Sequence, residues 1–267
     1  KKTDINIQKL EPSFLNDFDF FLRTKANINN NSAVKHTKNL SKILKICYHN
    51  NWIEKDLVIF YKGRFNEVNV NFLTDEELSS IREKEFSGKG LELVRDMFVF
   101  SCYTGLAYID IFNLTKDQLS KGIDGNLWII TNRQKTGSAS NIPLLPVAEE
   151  IIKKYENHPV SSNSGKLLPV YTNQKVNEYL KTIAENCGIN KKLTFHCARH
   201  TFATTVTLGN NVSMESVSKM LGHKSIKTTQ HYAKILDSKV SQDMGSLKLV
   251  LEKKNEVQKE NDKKLGS

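Results

Sequence analysis

A mainly helical chain with one small antiparallel β-sheet (α+β), divided into a short helical unit and a larger mixed one, is the fold that the sequence predicts. Three observations predict it. Apolar residues recur at helical spacing through most segments, which often end at Gly or Asn. Two short β-rich runs, Leu127–Thr131 and Asn141–Leu145, flank a turn. A polar stretch from Lys62 to Glu67 precedes a strong helix start at Thr74. We therefore expect a helical unit over residues 1–68, a linker reaching Phe72, a second unit over 73–250 and a tail over 251–267.

In chain order, Ser13 can cap a helix that carries Phe14, Leu15, Phe18, Phe21 and Leu22 on one broad face. The run Asn27–Ser32 breaks it. A second helix carries Val34, Leu40, Ile43, Leu44 and Tyr48, and Asn50-Asn51 ends it. Lys35, Lys38, Lys42 and Lys45 lie on its wetter side, as a solvated face or as one that contacts phosphates. In the second unit, Thr74-Asp75-Glu76-Glu77 reads as a capping box. A long helix runs from Leu91 to Tyr103 and stops near Gly105. The two strands follow, joined through Arg133–Ser138, the end of one strand and a turn. Helices are then expected over Val147–Asn157, Asn173–Cys187, Arg199–Leu208 and Met214–Leu221, with Gly188, Gly209 and Gly222 as C-terminal caps. Leu247, Leu249, Val250 and Leu251 make an apolar patch that could dock on a neighbouring subunit or pack on its own unit.

The 267 residues are 39% hydrophobic, enough for packed cores, which excludes global disorder. A formal net charge of +10 favours an anionic partner, nucleic acid or an acidic membrane surface. No apolar run approaches the ~18–20 residues of a membrane span, and the N-terminus has no signal-peptide core. Cys47, Cys102, Cys187 and Cys197 form no CxxC pair and read as reduced core residues of a cytosolic protein. The chain opens on Lys1 and closes on Leu265-Gly266-Ser267, which reads as a trimmed piece with further sequence expected upstream.

Three clusters carry chemistry: His196-Cys197-Ala198-Arg199-His200-Thr201-Phe202, then Leu221-Gly222-His223, then Thr228-Thr229-Gln230-His231-Tyr232. Alone, each residue has an ordinary reading: Tyr232 as a core or surface tyrosine, Arg199 as an ion-pair residue, His231 as a local structural residue. His200 reads as a packing or orienting residue. His196, His200, His223 and Cys197 could suggest zinc, but they do not make a zinc-site pattern, and no metal is assigned.

Jointly and in this order, the clusters resemble the closing half of the signature of tyrosine recombinases of the phage-integrase family. His223 precedes Tyr232 by nine residues, the family's spacing. Upstream, Thr104-Gly105-Leu106 resembles the family's T-G-L-R box, and Asp110 stands where that box carries an acidic residue. Lys135-Thr136-Gly137 falls on the hairpin that bears the family's catalytic lysine. The resemblance runs from about Thr74 to Ala233, and the preceding helical unit has the position of a DNA-clamping core-binding domain.

The resemblance implies a site-specific recombinase that cuts and rejoins duplex DNA through a 3′-phosphotyrosyl intermediate. The chemistry suits the residue types. A phenol, with a reference pKa of ~10, must lose its proton during attack. Arginines suit nonbridging phosphate oxygens, histidine exchanges protons near neutrality, and lysine can protonate the leaving 5′ oxygen. Tyr232 is the expected nucleophile. Arg199 and His223 would stabilise the transition state, Lys135 would be the general acid, and His196 would handle protons or hold the site. Asp110 would buttress it. No nucleotide cofactor and no metal is needed, because the phosphotyrosyl bond stores the energy for rejoining.

The resemblance further implies double-stranded attachment sites clamped in a C-shape, a homotetramer on paired sites, possible accessory DNA-bending proteins and a place at the bacterial nucleoid in the cytoplasm. No membrane partner is expected. The alternatives are a DNA-binding relative that has lost catalysis and a type IB topoisomerase-like enzyme.

The sequence departs from the family box at Ala107, where the first catalytic arginine belongs. Losing one such donor typically costs ~10²–10³ in rate. The alanine could be engineered, could mark an inactive relative, or could be offset by another arginine. We favour Arg133, two residues before Lys135, because side chains at i and i+2 of a strand share a face. Arg95 would lie ~18 Å from Ala107 along a continuous helix, and Arg82 sits in an earlier helix. In this departure the boxes resemble integrases of mobile elements from Bacteroides-type bacteria.

Overall fold

The computed structural model describes residues 4–67, 70–233, 244–245 and 247–248. It is mostly helical with one three-stranded antiparallel sheet, and it divides into two compact units, Lys1–Asn69 and Val70–Ser267. Among the described residues, no helix is long and apolar enough to cross a membrane. Leu249, Val250, Leu251 and the rest of the expected tail lie outside the described residues, and Leu247 is exposed.

The first unit is built on α1 (Phe14–Thr24) and α2 (Asn30–His49). Ser13 does not cap α1: its own backbone is already helical and its hydroxyl makes no capping bond. Asn29 caps α2 by accepting from the Ser32 N–H, and Asn27 turns the chain with φ 50°. The core gathers Leu15, Leu44, Cys47, Ile53 and Leu57. The buried stripe of α2 is more polar than its apolar residues suggest. It runs through Ala33, Val34, Thr37, Ser41, Leu44 and Cys47, leaving Ile43 and Tyr48 exposed, as is Phe21 on α1. Thr37 and Ser41 can be buried because their hydroxyls donate to the carbonyls of Ala33 and Thr37.

In the second unit α3 (Asp75–Glu83) starts at the expected capping box. The Thr74 hydroxyl accepts from the Glu77 N–H, and the Glu77 carboxylate accepts from the Thr74 N–H. The apolar helix α4 (Lys89–Thr104) is the axis of this unit, with ten of its sixteen residues buried. Gly105 ends it in the left-handed region at φ 70°. A short α5 (Tyr108–Asn113) follows, then β1 (Leu119–Lys121), β2 (Leu127–Asn132) and β3 (Ala139–Pro143), in that order across the sheet. The pairs Ile129↔Ile142 and Asn132↔Ala139 set the β2–β3 register, and buried Ile129 and Ile142 give the sheet its inner face. The helices α6 (Pro146–Tyr155), α7 (Pro159–Ser164) and α8 (Asn173–Asn186) lead to α9 (Phe195–Thr201).

The expected helix over Arg199–Leu208 is remodelled. After α9 the chain widens into a π-helical segment, Phe202–Thr207, and ends in a 3₁₀ turn, Leu208–Asn210. Gly209 lies inside that turn, and Asn211 takes the left-handed cap instead, at φ 63°. The Thr207 hydroxyl donates to the carbonyls of Phe202 and Ala203, within the π segment itself. The π segment and its flank are pinned to the start of the unit: the Leu73 N–H donates to Thr201, and the Thr205 hydroxyl donates to the Leu73 carbonyl. Then come α10 (Met214–Met220), capped by Ser213, and α11 (Lys227–Ala233).

Gly105 is a position where only glycine fits. An added Cβ would lie 2.4 Å from a ring carbon of Phe202 and 2.9 Å from Leu221, on a backbone that already disfavours it. We predict that Gly105→Ala destabilises the protein by roughly 2–4 kcal/mol, the sum of left-handed strain and overpacking. Thr74→Ala should lose about 1 kcal/mol through its cap. Denaturant unfolding of both variants checks the order of the two effects.

Candidate active site

Helix α9 carries the centre of the site. His196, Arg199 and His200 are spaced i, i+3 and i+4, so they share a face, while Cys197, Ala198 and Thr201 point into the core. Arg199 is 2% exposed. Its Nη1 donates to the Gly105 carbonyl at 2.6 Å and its Nη2 to the Leu221 carbonyl at 2.5 Å. Those carbonyls belong to the C-caps of α4 and α10, where helix dipoles favour a cation. Burial, and then the charge of Arg133, pull the Arg199 guanidinium down to about 10.

Leu221-Gly222-His223 closes α10. The left-handed Gly222 (φ 58°) turns the chain so that the His223 N–H donates to Ser218. Nδ1 of His223 lies 2.9 Å from the hydroxyl of the fully buried Thr229. Gly222 serves a second purpose: a Cβ there would come within 2.9 Å of Cγ and Cδ of Arg133. The missing side chain is thus the room through which Arg133 reaches the site.

Tyr232 projects from α11 into this space and is 6% exposed. Its ring lies nearly parallel to that of His223, with centroids 6.4 Å apart. Its hydroxyl is 3.0 Å from Nδ1 of His200, whose ring meets His196 edge-on at 4.4 Å. The pairing of His200 with Tyr232 was not foreseen. The i+4 relation of His200 to His196 was a usable signal, but nothing in the sequence tells which side chain α11 brings to it. His231 is exposed, with its ring 6.3 Å from Tyr232.

The strand argument for Arg133 and Lys135 does not hold. Strand β2 stops at Asn132, and Arg133–Ser138 is a turn closed by hydrogen bonds between Arg133 and Ser138 and between Gly137 and Arg133. The rule for i and i+2 therefore does not apply. Arg133 nevertheless enters the site, with Nε 3.8 Å from Oδ2 of Asp110 and without a hydrogen-bond partner. Asp110 also accepts from the Gln134 N–H at 3.0 Å and from the Ala107 N–H at 3.4 Å. One carboxylate therefore ties the turn to the position of the absent arginine, and Oδ2 lies within 4 Å of both Arg133 and Ala107. Lys135 stands exposed on the turn, and its charge reaches His196.

The other candidate arginines are engaged elsewhere. Arg95 pairs with Asp96 and donates to the carbonyls of Arg82 and Lys84, while Arg82 pairs with Glu83. Lys35, Lys38, Lys42 and Lys45 are all exposed on α2, and Lys38 sits over the Phe65 ring at 4.6 Å.

Burial dominates the electrostatics. It pushes the Tyr232 phenol up, against the pull of Arg199 and Arg133. It takes His200 and His223 down to about 4, helped at His200 by His196 and Arg199 and at His223 by Arg199 and Arg133. His196 is lowered as well, by burial and then by Arg199. The result is an anion-seeking pocket of two guanidiniums and neutral imidazoles. The unfolded chain holds protons on these imidazoles up to their ordinary 6.5, whereas the folded protein sheds those of His200 and His223 above about 4. The unfolded state then binds more protons, so stability rises with pH across that window. We predict that moving from pH 7 to pH 5 costs on the order of 1–2 kcal/mol per histidine, and that His223→Phe reduces the slope in denaturant titrations at the two pH values.

The phage integrase family model matches residues 71–239, and the phage integrase SAM-like domain matches residues 1–65. Tyrosine recombinase XerC of Rickettsia canadensis is 29% identical over 170 residues, covering 60% of this chain and 50% of the relative. XerD of Lacticaseibacillus casei is 30% identical over 172 residues, covering 60% and 57%. The chain thus spans about half the length of the curated relatives it matches. In fold it is similar to lambda integrase (75–356), solved as a dimer bound to a COC′ core site, with a TM-score of 0.68, 17% identity and coverage of 86% and 82%. It is also similar to the Tn1549 transposon integrase in complex with a circular intermediate DNA, with a TM-score of 0.65, 17% identity and coverage of 85% and 82%. With the family model matching well over half of its length, the chain belongs to the phage integrase family.

Proposed function

We propose that this protein is a tyrosine-type site-specific recombinase that cuts and rejoins duplex DNA in the integration or excision of a mobile element. The observation that carries the reading is the buried phenol of Tyr232, set among His200 and His223 and under the pull of Arg199 and Arg133. Such a pocket suits a scissile phosphate. The oxygen of Tyr232 attacks phosphorus and forms a 3′-phosphotyrosyl link as the bond to the 5′ oxygen breaks. Arg199 spends two of its five N–H groups on backbone carbonyls, leaving the rest to meet phosphate oxygens. His223 adds a neutral donor, Lys135 protonates the 5′ oxygen, and His196 assists proton handling at the exposed rim. Rejoining reverses the attack with a different 5′ hydroxyl, so strand exchange needs paired DNA sites and further copies of the chain.

Arg133 takes the part of the arginine absent at Ala107. The shared Asp110 oxygen supports this, as does the unpartnered Nε of Arg133, a buried donor awaiting an acceptor. Ala107 also favours a second reading, a DNA-binding relative that no longer cuts. The lysines of α2 are proposed to contact phosphates under either reading.

Covalent trapping on a nicked suicide duplex, enriched from a randomised pool by binding to the full chain, separates the two. The parent should give a protein–DNA band on a denaturing gel that Tyr232→Phe abolishes. Arg133→Ala should slow the band by ~10²–10³ with binding retained. Arg133→Lys should not restore the rate, since a point charge does not replace a planar fork. A parent that binds the duplex but never forms the band would establish the non-cutting reading.

A further inference from the structure

The phenol of a buried nucleophilic tyrosine must pass its proton to a neighbouring group as it attacks, and the roles proposed above, with His196 at the exposed rim against the His200 ring, place no acceptor at the phenol oxygen. The described neighbours of the phenol are few. Arg199 and Arg133 are cations with no acceptor. Nδ1 of His223 is occupied by Thr229, and its ring lies parallel to the tyrosine at 6.4 Å, face to face rather than edge to oxygen. His231 is tilted by 64° at 6.3 Å and exposed. Among the described residues, only Nδ1 of His200 lies at hydrogen-bonding distance from the phenol oxygen, at 3.0 Å.

From this geometry, resting on the recombinase reading above, we propose that Nδ1 of His200 takes the phenol proton of Tyr232 during attack. In balance, the Tyr232 O–H bond breaks and its proton moves to His200. The phenol oxygen bonds to phosphorus, and the bond from phosphorus to the 5′ oxygen breaks. That oxygen takes its proton from Lys135. In rejoining, His200 returns its proton to the departing phenol oxygen, and the incoming 5′ hydroxyl gives its own to Lys135.

Three features of the structure fit the role. Burial, and then His196, Arg199 and His231, disfavour the charged form of His200 and take it down to about 4, so its ring is neutral near pH 7. A neutral ring with its proton on Nε2 offers Nδ1 as an acceptor. The groups facing it are therefore His196 and Arg199 on its own helix and Tyr232 and His231 on α11, while the π segment beyond it, Phe202–Thr207, carries no ionisable side chain. An entering DNA phosphate reverses this balance, because its negative charge favours the imidazolium at the moment when the proton must be accepted. Last, the His200 backbone is held where helix becomes π-helix, its carbonyl accepting from the Thr204 hydroxyl at 2.8 Å. Neighbouring Thr201 is tied to Leu73.

The test isolates nucleophile activation from leaving-group protonation. The probe is the enriched duplex with sulfur replacing the bridging 5′ oxygen at the cleavage position, since a thiolate leaves without an acid. Lys135→Ala should recover on this probe. His200→Ala should not, and should remain ~10²-fold slower than the parent in forming the phosphotyrosyl band. His200→Asn keeps an acceptor near the place of Nδ1 but cannot take a proton. It should stay slow, with a rate that climbs about tenfold per pH unit, whereas the parent levels off once His200 is neutral in the complex. Circular dichroism and DNA binding establish that the variants are folded. The proposal is overturned if His200→Ala cleaves the sulfur probe within about threefold of the parent, or if His200→Asn restores both rate and pH profile. The latter would leave His200 a positioning role only. If the parent cleaves neither duplex, the recombinase reading fails and this inference falls with it.

Discussion

The site depends on one buried guanidinium. Arg199 lies where the C-terminal ends of α4 and α10 meet, with a carbonyl from each in its grip. An unpaired cation so deeply buried would be severely penalised, and among the described residues no carboxylate hydrogen-bonds to it. Two helix ends supply the negative pole instead. The arrangement fixes three elements at once. If α4 lost its glycine stop, its carbonyl would turn away, and if α10 ended elsewhere, His223 would not hang over the pocket. The cation that can bind a phosphate is also what joins these helices.

Around that joint the other parts are held by small, specific devices. Gly222 leaves room for Arg133 to pass. Asp110 accepts backbone protons from both Ala107 and Gln134, so the turn after β2 is anchored to α5 by a single carboxylate. Ser140 on β3 donates to the Met220 carbonyl, tying the sheet to the end of α10. The π-helical segment after α9 shifts the chain at the point where His200 must face α11. The first three devices join segments far apart in sequence, which is why the pocket depends on much of the second unit. Inside the pocket the guanidiniums of Arg199 and Arg133 face the Asp110 carboxylate, a surplus of positive charge that favours an anion.

Much of this was legible in the sequence. Helix periodicity, the capping box at Thr74 and the glycine stops at Gly105 and Gly222 are local, and local rules read them correctly. The grouping of His196, Arg199, His223 and Tyr232 was legible as a pattern of residue types in order. Failures came where a tertiary partner overrode a local preference. Thr37 and Ser41 took buried positions that Ile43 and Tyr48 were expected to fill, because hydroxyls that bond back to their own helix cost little to bury. Ser13 and Gly209 have the right chemistry for caps, yet Ser13 precedes α1 without making a capping bond and Gly209 lies inside a 3₁₀ turn that Asn211 ends.

Arg133 shows the division most clearly. The sequence by itself determined that a second arginine stood near Lys135, that the box at Ala107 lacked one, and that a tyrosine waited nine residues after a histidine. Spacing along a chain sets residue types and local geometry, since both are properties of neighbouring residues. Whether Arg133 reached the pocket depended on a turn, a carboxylate from α5 and a missing side chain on Gly222, three segments brought together only by folding. The contact between His200 and Tyr232 belongs to the same class. It joins residues 32 apart across two helices, and only the packing of α11 against α9 and the π segment could decide which imidazole the phenol would meet.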